Sequence, residues 1–146
     1  MSGLITNPRS LVFGFIAGAI AVISFHQSMI LILHLLKFLP NFPWSFRPVG
    51  PMGVPALINS MFWGGLWGVA FAALLAFIPG RTLWQRGLVF GFLGPVLLGN
   101  WLLVPLFKGG AYFGGFVAQR MLISVLIGCA FGFGLALFYK MLQKRV

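Results

Sequence analysis

Residues Ser10–Lys37 read SLVFGFIAGAIAVISFHQSMILILHLLK, an apolar run interrupted chiefly by His26, Gln27 and Ser28. A helix of a soluble domain would show polar residues recurring every three or four positions. This run does not, and it exceeds the roughly 20 residues needed to cross ~30 Å of hydrocarbon. It is expected to form a membrane-spanning helix over about residues 10–36, and the chain is read as an integral membrane protein.

Composition supports the same class. The 146 residues are 60% hydrophobic and 7% charged, too few polar groups to clothe a water-facing globule. The first apolar run is longer than the core of a secretory signal and lacks a cleavage pattern, so it is read as retained. The single cysteine, Cys129, lies within a later apolar run and reads as a packing residue.

The charge balance is lopsided: ten Lys plus Arg, no Asp or Glu, and a net charge of +10. The cations sit at helix ends and form no dense patch with interleaved aromatics, so nucleic acid is not an expected partner. Membrane lipids, anionic ones above all, are the expected partners, since a cation beside an acidic leaflet gains ~1 kcal/mol. A larger acid-bearing membrane protein or a second copy of the chain is the further possibility. Without carboxylates the chain alone builds no carboxylate proton relay, no paired-carboxylate hydrolase and no side-chain carboxylate site for Ca or Mg.

Working outward, Asn7-Pro8-Arg9 has the order of cap, first-turn proline and helix. After the first run, residues 38–54 read FLPNFPWSFRPVGPMGV, and Pro40, Pro43, Pro48 and Pro51 are too close together for a helix. This segment is expected at the membrane interface, with Phe38, Phe42, Trp44 and Phe46 as an aromatic belt. A second span is expected over 55–78, stopped by Pro79-Gly80. Thr82-Leu83-Trp84-Gln85 has the form of a capping box and opens a third span over 83–107, kinked at Pro95. After the glycine-rich link KGGAYFGG a fourth span runs over 116–142.

The expected fold is therefore all-α: a single polytopic domain, 1–146, of four transmembrane helices. Four spans place both termini on one side. That side carries Arg9, Arg81, Arg86, Lys140, Lys144 and Arg145, against Lys37, Arg47, Lys108 and Arg120 on the other, a bias that favours cytoplasmic termini in a bacterial inner membrane.

Arg9-Ser10-Leu11-Val12-Phe13-Gly14-Phe15-Ile16 recurs as Arg86-Gly87-Leu88-Val89-Phe90-Gly91-Phe92-Leu93. Both copies open a span from the same side, which suggests two helical hairpins related as parallel repeats. Each span also carries a GxxxG pair: Gly14 and Gly18, Gly64 and Gly68, Gly87 and Gly91, Gly128 and Gly132. Such pairs let helix backbones approach closely, which in lipid is a main source of association. A tightly packed four-helix bundle is the expectation.

Counted from the ring of cations at ~1.5 Å per residue, His26, Asn100 and Ser124 lie ~20–26 Å along their helices. Asn59, Ser60, Gln119 and Arg120 lie slightly farther, and Gln27 adjoins His26. Polar groups in lipid are costly and tend to face a bundle interior or a cavity. These eight residues are the candidate binding site, a polar vestibule open to the outer leaflet. No catalytic residue, metal ligand set or cofactor is expected: His26 and His34 are ~12 Å apart along the axis, too far to share an ion.

The favoured function is a non-catalytic accessory or assembly subunit, or a lipid-contacting module. The alternative is a small oligomeric transporter or channel for an anion or apolar solute. An enzyme using His26, His34 or Tyr112 ranks last, because no serine stands beside a histidine in a nucleophile motif.

Overall fold

The computed structural model describes residues 7–144, so Arg145, counted above among the terminal cations, lies outside the described residues. Among them are four helices long and apolar enough to cross a membrane: α1 Pro8–Leu35, α2 Ala56–Phe77, α3 Leu83–Lys108 and α4 Ala118–Lys144. The protein is mostly helical, and these four helices have the length and apolar composition of membrane spans. The helix ends follow local chemistry. Asn7 accepts a hydrogen bond from the Arg9 amide at 3.0 Å, with Pro8 in the first turn where a missing N–H is harmless. Thr82 and Gln85 cap α3 reciprocally, at 3.4 Å and 3.2 Å. Lys37 leaves α1 with φ of 64°, and Phe38 N–H returns to the Leu33 carbonyl at 2.9 Å, closing the helix end.

Two antiparallel pairs form the bundle. A Cβ placed on Gly14 or Gly18 of α1 would land on the Gly68 or Gly64 carbonyl of α2. The same holds for Gly87 and Gly91 of α3 against Gly132 and Gly128 of α4. At these crossings backbone lies directly on backbone, and any side chain would force the helices apart. The pairs join through α1 and α4, where the Phe25 ring covers Gly134. At the end that holds the termini, Ala17, Phe71, Ala72, Leu135, Ala136 and Tyr139 pack into a buried core. Phe71 is edge-on to Phe90 at 5.4 Å and to Tyr139 at 5.8 Å, and this is where α2 meets α3.

The opposite end is built differently. Because Gly64 faces Gly18 in an antiparallel pair, α2 begins level with His26, and the last nine residues of α1 run on for about 13 Å. Residues 36–55 fold back into this corner. Their short antiparallel hairpin, β1 Pro48–Val49 with β2 Val54–Pro55, sits on the start of α2, held by Ala56 N–H to Arg47 O and Leu57 N–H to Ser45 O, each at 2.9 Å. Phe42 and Phe46 are exposed, as an interfacial belt requires. Trp44 turns inward instead: its indole N–H donates to the Ile23 carbonyl and its backbone N–H to Gln27 Oε1, both at 2.8 Å. Ile23 lies in a π-helical turn, Val22–His26, whose irregular spacing leaves its carbonyl accessible to an outside donor.

Pro95, where a kink is expected, sits inside a π-helical stretch, Phe92–Leu103. The wider turn accommodates a ring that would collide with the carbonyl one turn back.

Candidate functional site

The glycine contacts fix how α1 lies on α2 and α3 on α4, but α2 and α3 touch mainly through the Phe90 ring, wedged between Trp67 and Phe71, and through the Trp67 indole over Gly94 and Gly99. Towards the loop end they diverge around a cavity of about 910 Å³. Side chains at its edge remain uncovered: Trp63 of α2 is 55% exposed and Phe107 of α3 79%. All four helices contribute to the wall. Val22 and His26 come from α1, Gly64 and Trp67 from α2, Val96 and Gly99 from α3, Gly128 and Phe131 from α4.

The wall is mostly apolar, with its polar groups gathered towards the loop end. Five of the eight residues singled out from sequence stand on it: His26, Asn59, Ser60, Asn100 and Ser124. Asn100 Nδ2 donates to Ser124 Oγ at 2.6 Å, and Ser124 Oγ donates to the Arg120 carbonyl at 3.1 Å, tying α3 to α4. Lys108, at the end of α3, is the charged residue on the wall. The chain has no acidic residue, so no side-chain carboxylate of its own neutralises Lys108.

The other three lie off the wall. Gln119 and Arg120 are exposed at the start of α4. Gln27 is buried, 6% exposed, and faces the loop. Its amide nevertheless reaches a residue of the cavity wall. Because its Oε1 accepts from Trp44 N–H, its Nε2 is the atom directed at His26 Nδ1, 3.3 Å away. An amide nitrogen only donates, so neutral His26 accepts at Nδ1 and carries its proton on Nε2. A chain of contacts thus runs from loop to Gln27 to the ring on the cavity wall.

Sequence reasoning passed over Trp63, Trp67 and Lys108. The spacing of the two tryptophans places them on one face of α2, a visible signal. That this face lines a cavity depends on the divergence of α2 from α3, which no local pattern encodes. Lys108 was counted only as a loop cation.

No protein-family model, curated protein or solved structure matches the chain.

Proposed function

We propose that the protein is a non-catalytic lipid-binding module of a bacterial inner membrane, taking an anionic amphiphile from the bilayer into the cleft between α2 and α3. The observation that carries this reading is the composition of the cavity: about 910 Å³, within the size range of small-molecule sites, apolar at its base and polar towards the loop end. A hydrocarbon chain fits the base. A headgroup fits among His26, Asn59, Ser60, Asn100 and Ser124. Asn59 and Ser60 take no part in the hydrogen bonds that hold Gln27, Asn100 and Ser124, which leaves them to a ligand. Lys108, in a chain with no acidic side chain, favours a phosphate-bearing headgroup over a cationic one.

The same reading places both termini in the cytoplasm, on the cation bias, and the cavity in the outer half. It treats the two hairpins as parallel repeats packed through their GxxxG pairs. Support comes from equivalent surroundings: Gly14 lies against Gly68 and Ala72 as Gly87 lies against Gly132 and Ala136, and Val22 meets Gly64 as Val96 meets Gly128. This equivalence is one helical turn out of step with the sequence match, which aligns Gly14 with Gly91. An accessory role beside a larger acid-bearing membrane protein, or in a pair of copies, would use the cations left on the surface.

Native mass spectrometry of the full chain from gentle detergent tests the binding. One anionic lipid per chain should remain with the wild type and be lost when Asn59, Asn100 and Ser124 are replaced together by leucine. Retention unchanged by that substitution would remove the cleft from the account.

A further inference from the structure

Resting on the reading of the cleft as a lipid site, we propose that Trp67 sets the length of hydrocarbon chain the cleft accepts. Along α2 the cavity wall runs from Asn59 to Ala70, a depth of ~16 Å at the rise of an α-helix. Trp67 stands near its lower end. In a helix, long side chains lean towards the N-terminus, which for α2 is the loop end, so the indole projects into the cleft. It crosses to α3 where that helix offers two glycines. A Cβ on Gly94 would lie 3.2 Å from Trp67 Cζ3, and one on Gly99 3.1 Å from Cζ2, so the ring rests on bare backbone at both points.

Nothing beneath the ring gives way easily. Its other edge meets Phe90 at 6.1 Å; Phe90 meets Phe71, and Phe71 meets Tyr139. Phe71 and Tyr139 are fully buried. A chain entering between α2 and α3 from the loop end therefore meets the indole where it lies across Gly99 and Gly94, level with Val96. Ala70, the next wall residue below, is small, so removing the indole would extend the space downwards rather than let another side chain fill it.

The test uses the full chain in mixed micelles with equimolar dilauroyl and dioleoyl phosphatidylglycerol, and reads the ratio of the two lipids retained on purification. Trp67→Ala should raise the oleoyl-to-lauroyl ratio by about tenfold over wild type, the low end of what an apolar pocket achieves against one methylene too many. Adding Ala70→Phe to Trp67→Ala, which fills the space the lost indole opens, should bring the ratio back towards wild type, and Trp67→Phe alone should fall between wild type and Trp67→Ala. Should Trp67→Ala not fold, Trp67→Phe carries the same comparison. Folded variants that retain lipid at the wild-type ratio overturn the role of Trp67 and leave the lipid site standing. A wild type that retains neither lipid overturns the lipid site, and the role of Trp67 with it.

Discussion

Replacing Gly68 by alanine should destabilise the bundle by ~2 kcal/mol, whereas the same change at Gly65, three residues earlier in α2, should be nearly neutral. At Gly68 the new methyl would land on the Gly14 carbonyl, with the Gly18 Cα 3.2 Å away. Neither obstacle is a side chain that can turn, so α1 and α2 must separate, and a gap of 0.5–1 Å forfeits about a quarter to a half of each dispersion contact. Overpacking of this kind costs up to ~3 kcal/mol. The better helix propensity of alanine returns ~1 kcal/mol, leaving the ~2 stated. At Gly65 the methyl meets the Phe15 ring, with three ring carbons at 2.5–2.7 Å. That ring can swing off its rotamer for ~1 kcal/mol, which the propensity gain cancels. Unfolding in dodecylmaltoside micelles titrated with SDS, followed by far-UV circular dichroism, measures both. Equal stability of the two variants would refute the claim that backbone contact holds α1 to α2.

Other predictions concern the loop and the polar groups. Trp44→Phe removes the donor to the Ile23 carbonyl and should cost about 1 kcal/mol, seen as faster amide exchange over residues 38–55 with the helices unchanged. Gln27→Leu leaves the Trp44 N–H without its acceptor and His26 Nδ1 without its donor, so the ring should shift towards the Nδ1-protonated tautomer, readable from imidazole ¹⁵N shifts. A double-mutant cycle between Asn100 and Ser124 should give a coupling of about 0.6 kcal/mol, the average measured for such bonds between membrane helices, and no more than about 1.7. Lys108→Gln should weaken retention of anionic lipid about fivefold, from the ~1 kcal/mol a cation gains beside an acidic headgroup, and leave a zwitterionic lipid unaffected.

The four spans were legible because hydropathy and the stop signals act locally: Pro79-Gly80, the Thr82 capping box and the glycine-rich link each declare themselves within a few residues. The depth of His26, Asn59, Ser60, Asn100 and Ser124 could be counted, since rise per residue is nearly constant. Which way each side chain faces could not. Gln27 shows the reason: it adjoins His26 in sequence, but successive residues on a helix point about 100° apart, and the π turn just before it altered the phase further. Trp44 was placed in the belt by composition, although the carbonyl that draws it inward exists only because α1 departs from regular geometry. The cleft arises because glycine contacts bind α1 to α2 and α3 to α4, with no equivalent seam between α2 and α3. That is a property of pairings, not of any one segment.

Photo-crosslinking tests the lipid cleft most directly. A phosphatidylglycerol with a diazirine near the end of its acyl chain, irradiated with the full chain in bilayers, should label Trp67, Val96 and Phe131 at the base of the cavity. Labelling spread over the outer helix faces at Ile16, Leu126 and Leu137, with those three residues spared, would contradict the account.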